Sequence, residues 1–315
     1  MNDKFKLAIL GLAAAGLVLA FLFTDLGTQW EYALTLRGRK LAAMLLTGAA
    51  IAFSTVVFQT ITNNRILTPS IIGLDSLYML IQTAIVFLFG SFTLASMNSM
   101  VHFFLSSGLM VLFAGVLYKL LFRGESRHIY FLLLVGIVCG TFFSNISSFL
   151  QMLIDPNEYL VVQDRMFASI NNVNADILWI AALIFAAIAL YSMRDMRYLD
   201  VISLGREEAI NLGVRYDFTV KRCLIIVAVL ISVATALVGP ITFLGLIVAN
   251  VAYQVIRTYR HSLVIPGAIL ISIIALVGGQ WIVERVFTFS TSLSVIINFI
   301  GGVYFITLIL KGNRS

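Results

Sequence analysis

Three histidines, two cysteines and one acid set against a long apolar run are the groups with which this 315-residue chain could attempt catalysis or metal binding. His102, His128 and His261 stand far apart, with no H-E-x-x-H pair to hold zinc. Cys139 and Cys223 each lie inside an apolar run, where a cysteine serves as a small buried hydrophobe. Neither a G-x-S-x-G elbow nor a G-x-x-x-x-G-K-[ST] phosphate loop occurs, so serine-type hydrolysis and ATP hydrolysis lack their residues. The chain is expected to be no enzyme and to carry no metal or cofactor of its own.

The densest polar stretch is RDMRYLDVISLGREEAINLGVRYDFTVKR, residues 194–222. Within it SLGREEAINLGV (203–214) has the grammar of a short helix. Ser203 is the expected N-cap, Glu207 and Glu208 lie toward the positive end of the helix dipole, and Gly213 is the expected C-terminal stop. Gly205, Ala209 and Leu212 fall at i, i+4 and i+7 and share a face, nearly bare of side chain at two positions and flanked by Arg206 and Glu208. Such a face suits close docking against another protein. A solvated interfacial helix with a satisfied charge pattern is the other reading of the same residues.

The elements that must carry this island are apolar. Hydrophobic residues make up 60 % of the chain and charged ones 11 %, and mean hydropathy is +1.00, which marks an integral membrane protein. The net charge of +6 sits in loops between apolar runs, without a basic face interleaved with aromatics, so nucleic-acid binding is not expected. A crossing helix needs about 20 apolar residues. Charge-free runs at 7–24, 41–62, 129–154, 177–193, 262–283 and 286–310 each supply one. The run 76–118 divides at the polar break GSFTLASMNSM (90–100), and 223–256 divides at GPITFLG (239–245), where Pro240 and its flanking glycines disfavour helix.

The expected fold is therefore an all-α polytopic membrane protein of about ten transmembrane helices, one transmembrane domain over 1–315. The first run is read as a span, not a cleaved signal, because no A-x-A-like site precedes Asp25. With both termini cytoplasmic, 16 of the 21 lysines and arginines fall inside, as the positive-inside rule requires. The island then lies in the cytoplasm between spans six and seven. Asp75, close behind Pro69 and Gly73, is expected near the cytoplasmic mouth as a local cap or helix–helix hydrogen bond. Gly48, Ala49, Ala52 and GLAAAG (11–16) supply small residues for close span packing, and the outer segment 159–177 is expected to hold a short helix or an exposed connector.

LGREEAINLGV resembles the L-G-x-x-x-A-x-x-L-G-V coupling segment of the FecCD family, the permease subunits of type II ABC importers for ferric siderophores, haem and cobalamin. GAAIAFSTVVFQTITNNRILTPSIIG (48–73) resembles a second family signature through Gly48, Ala49, Ala52, Ser54, Gln59, Asn64, Pro69 and Gly73. GPITFLGLIVANVAY (239–253) and GGVYFITLIL (301–310) are similar to two more. Departures are Arg65 for the proline of N-P-L, Ala249-Asn250 for P-H, Tyr253 for an arginine and Gly38 for the proline before the second-span arginine.

The resemblance implies a permease in the cytoplasmic (inner) membrane of a bacterium. It would work with cytoplasmic ATP-binding subunits, a second permease chain in a heterodimer, and a periplasmic or lipid-anchored substrate-binding protein. The ligand it implies is a ferric siderophore, the catecholate type most of all. Coupling to the ATPase would fall to Ser203, Leu204, Gly205, Arg206, Glu207, Glu208, Ala209, Leu212 and Gly213. Binding-protein docking would fall to Arg37, Arg39 and Arg285, for which interfacial anchoring is the plainer reading. The pathway would be lined by Ser54, Gln59, Asn64 and Asn145. An ion-coupled secondary transporter is the rival; it needs a buried ionisable residue beside a broken helix, and in sequence no acid or base adjoins Pro240.

Overall fold

The structure, a computed structural model, describes residues 3–24, 30–121, 129–171, 173–192, 196–288 and 291–312. His128 and the loop bases Arg123, Arg127, Arg194 and Arg314 lie outside them. Among the described residues every regular element is helical: α1 Asp3–Phe23, α2 Trp30–Thr62, a 3-10 turn Pro69–Ile72, α3 Leu74–Phe89, α4 Ser91–Ser96, α5 Ser99–Leu121, α6 Ile129–Leu153 and α7 Pro156–Met166 come first. After them follow α8 Ala175–Ser192, α9 Met196–Ile202, α10 Arg206–Asn211, α11 Tyr216–Val238, α12 Leu244–Val255, α13 His261–Arg285 and α14 Leu293–Gly312.

Each of the ten expected apolar runs is a helix, at α1, α2, α3, α5, α6, α8 and α11–α14. Seven are long and apolar enough to cross a membrane, while α3, α12 and α14 are shorter apolar helices. The polar break at 90–100 holds α4, bounded by Gly90 and Met97. The outer segment does contain a helix, α7, which starts earlier than the sequence pattern placed it: Asp155 caps it by accepting from the Asn157 amide, with Pro156 in its first turn.

α2 is the central element, packed against α1, α8, α11, α12 and α13. Its 33 residues span about 50 Å, more than the ~30 Å hydrocarbon layer, and its first turns carry exposed Trp30 and Tyr32, as an aromatic interface belt does. Small residues set the closest approaches. A Cβ on Gly48 would fall 2.4 Å from Ser272 Oγ, so α2 and α13 pack with almost no side chain between them. GLAAAG behaves differently: a Cβ on Gly11 or Gly16 would meet nothing within 4 Å, because α1 rides on the outside of the bundle.

Among the described residues the helices are interrupted at 63–68 before the 3-10 turn, where Asn63, Arg65 and Ile66 are exposed, and at the largely buried 239–243 link between α11 and α12. Backbone polar groups in the buried link have no lipid partner and must be satisfied by protein, and protein groups close the first turn as well. Arg65 carbonyl accepts from Gln59 Nε2 at 2.7 Å and from Asn250 Nδ2 at 2.9 Å, and the Ile66 amide donates to Asn64 Oδ1 at 2.9 Å. Gly73 presses the first interruption onto α6: a Cβ there would lie 2.8 Å from the Gly140 Cα. Gly140→Val is expected to cost about 1–3 kcal/mol by overpacking, read as a melting temperature several degrees lower in detergent; Gly108→Val, whose Cβ meets nothing within 4 Å, should leave it nearly unchanged.

Candidate functional site

The island folds as two short helices joined by a tight link. α9 ends with Ser203 Oγ donating to Asp200 carbonyl at 2.7 Å and the Gly205 amide donating to Ile202 carbonyl at 3.0 Å. α10 then opens at Gly205, not at Ser203: φ is +114° there and no side chain caps the first turn. Ser203 was the wrong N-cap because its hydroxyl is already spent on α9, and the positive φ explains why glycine holds the position. At the other end the expectation for Gly213 is met. The Gly213 amide donates to Ile210 carbonyl and Val214 amide to Ala209 carbonyl, the paired bonds of a Schellman stop.

The face expected to dock is rearranged. Ala209 is fully buried, α10 packing on α9 and α11, so the Gly205–Ala209–Leu212 face is not wholly open. What α10 presents instead is Leu204, Ile210 and Leu212, at 59, 47 and 63 % exposure, with exposed Glu207 and Glu208 between them. Arg206 leans away toward Asp217 at 3.8 Å and Tyr216. Leu204 before the helix, Ile210 on it and Leu212 at its C-cap, ringed by charge, make a small, shaped contact surface.

A buried polar cluster ties this surface to the bundle. His261, the first residue of α13, reaches Asp200 of α9 twice, through Nδ1 at 2.6 Å and through its backbone amide at 2.7 Å. Its Nε2 is hydrogen-bonded to Thr60 Oγ1 of α2 at 2.7 Å. Hydroxyl, imidazole and carboxylate in series also describe an activated nucleophile. Here Thr60 is buried within α2 and back-bonded to Val56 carbonyl at 2.8 Å, so the cluster is a fastener. Sequence reading saw His261 as isolated; its partners lie 61 and 201 residues away.

At the opposite end of α2 and α13, Lys40 pairs with Glu284 at 3.0 Å, and Glu284 also accepts from Gln280 at 2.9 Å. Arg39 and Arg285 are exposed beside this pair. Arg37 is not available in the same way, since its guanidinium donates to the carbonyls of Phe21, Leu22 and Thr24 and closes the C-terminus of α1.

The residues expected along a pathway separate. Ser54 and Gln59 are interior, at 0 and 2 % exposure, and Gln59 and Asn64 fasten the 63–66 turn. Asn145 is exposed on α6, with Thr141, Ser144 and Ser148 exposed on the same apolar helix. Hydrocarbon does not favour such a polar face, so it fits an aqueous route or a partner. Asp75 was misplaced by sequence reasoning. α12 needs 12 residues, about 18 Å, to run from the 239–243 break to the end bearing Arg257, and Asp75 lies at that break, 3.4 Å from Thr242 Oγ1. The acid is thus deep in the bundle beside Pro240, a juxtaposition of segments 167 residues apart that no local pattern reports.

The family model for the FecCD transport family matches residues 7–311. The chain belongs to the FecCD transport family. Among FecCD relatives it is 62 % identical to the petrobactin import system permease protein YclO of Bacillus subtilis (strain 168), covering all of both chains. It is 36 % identical to the petrobactin import system permease protein FatC of Bacillus anthracis, over 86 % of this chain and 77 % of that one. The fold is shared with a solved structure described as an inward-facing conformation of a metal-chelate type ABC transporter, with a TM-score of 0.82, 21 % identity, and 98 % and 100 % of the two chains covered.

Charge-assisted bonds of the Asp200–His261 kind contribute about 1.5–3 kcal/mol. Asp200→Ala removes both bonds to His261, whereas His261→Ala keeps the one to its backbone. Amide hydrogen exchange over residues 203–214 is therefore expected to quicken about tenfold or more in Asp200→Ala and by less in His261→Ala.

Proposed function

We propose that this chain is the transmembrane permease subunit of an ATP-driven importer for a ferric siderophore of the petrobactin kind, acting in the cytoplasmic membrane of a bacterium. The observation that carries the reading is family membership over nearly the whole length, joined to 62 % identity with a petrobactin import permease. The exposed α10 surface supplies what such a subunit needs, a protruding contact fastened to two core helices. ATP hydrolysis falls to cytoplasmic partner subunits, and a second, different permease chain completes the membrane unit.

In this mechanism the loaded binding protein meets the end of the bundle that carries Arg39 and Arg285, where basic side chains receive acidic ones. Closure of the ATPase pair displaces α10. The movement passes through α9 and the Asp200–His261–Thr60 fastener into α13 and α2, and the spans exchange outward for inward access by population shift. The chelate moves along the polar face of α6 at Ser144, Asn145 and Ser148, the iron travelling inside its chelator.

Mild extraction of the tagged chain followed by mass spectrometry is expected to recover an ATP-binding subunit and a second permease chain. Recovery of this chain alone, under conditions that preserve a known ABC importer, would overturn the reading in favour of ion-driven transport. Leu212→Asp should lower the recovered ATPase subunit about tenfold at unchanged membrane level, as loss of a central apolar contact does. Arg39→Glu should weaken capture of the binding protein without affecting the ATPase subunit.

A further inference from the structure

We propose that the nook beside Asp75 binds one small alkali cation, held between the two interrupted segments of the bundle. Asp75 stands in the first turn of α3, and α12 begins beside it after the 239–243 break. The carboxylate is surrounded by the hydroxyls of Ser70, Thr235 and Thr242. Among the described residues no lysine, arginine or histidine is paired with it. Asp75 is half-buried, and the neutral hydroxyls beside it supply no countercharge to its carboxylate.

The space is the right size for one ion. A cavity of about 10 Å³ is lined by Asp75 together with Thr55, Ser70, Thr235 and Thr242, enough for a single water-sized particle. Thr55 supplies an independent sign. Thr55 is among the residues that line this cavity and is 1 % exposed, and its hydroxyl, which lies against Gly245, has no hydrogen-bond partner among the described residues. An orphan hydroxyl in a core is unfavourable unless something occupies the space it faces. One carboxylate and four hydroxyl oxygens form an all-oxygen set, which suits a hard cation.

Charge selects the valence. The single carboxylate neutralises a monovalent ion, whereas a divalent ion would leave a net positive charge in the bundle interior. Entry is available on the other side of Asp75. A second cavity of about 200 Å³ joins Asp75 and Thr242 to Ser144, Ser148 and Gln151, reaching the exposed polar face of α6.

The test is thermal unfolding of the purified, lipid-reconstituted protein while sodium or potassium replaces choline at constant ionic strength and pH. The melting temperature is expected to rise by several degrees with one of the two alkali ions, saturably. Asp75→Asn should abolish the rise. Thr55→Val, which retains the carboxylate and nearly the same shape, should shift its midpoint to about tenfold higher ion concentration. No rise with either ion in the unmodified protein overturns the proposal, as does an equal rise in Asp75→Asn. A rise on acidification without any alkali response would also overturn it, showing a protonated carboxyl beside a water.

Discussion

Hydrocarbon offers no hydrogen bonds, so a chain that interrupts its helices at membrane depth must bury each interruption against itself. The buried 239–243 link obeys that constraint, and the 63–68 turn, though exposed at Asn63, Arg65 and Ile66, is closed by protein groups in the same way. The 63–68 turn is closed by Gln59 and Asn250 converging on the Arg65 carbonyl and by the backbone contact of Gly73 with Gly140. The 239–243 link is closed by the Ser169 amide donating to Val238 carbonyl at 2.8 Å and by Gly239 lying against Ala168. Because the closing partners come from α2, α6, α12 and the segment after α7, the interruptions decide which elements must meet, and the position of α3 and α12 follows.

The apolar runs were legible because charge is excluded from lipid-facing helices, and ten of them emerged as helices where the sequence placed them. Pro240 and the glycines about it marked the second interruption for the same local reason. Contacts between distant segments left no such trace. Asp75 read as a cap or helix–helix hydrogen bond near the mouth because its chain neighbours are turn residues; the bond between segments exists, to Thr242, but it lies deeper than those neighbours suggest. Arg37 read as a docking base because arginine at a span end is ambiguous between a partner and a helix terminus, and the terminus of α1 claims it.

The coupling segment was legible as a motif and less so as a surface. Sequence periodicity put Gly205, Ala209 and Leu212 on one face, but the structure buries Ala209 and exposes Leu212, because periodicity does not say whether a position turns toward a partner or toward the parent chain. Ala209 turned inward because α10 is too short to stand away from α9 and α11. Its contact surface therefore consists of the aliphatic side chains left over, Leu204, Ile210 and Leu212.

The link between α9 and α10 has no slack. Ser203, Leu204 and Gly205 each return a backbone bond into α9, and Val214 and Tyr216 continue the bonded path toward α11. A loose tether carries load only when stretched, but a segment bonded back at every residue resists compression as well. Whatever presses on α10 is thus opposed by a strut rather than a string. Force can travel through it in both directions, so the same few residues would serve the closing and the reopening half of a cycle.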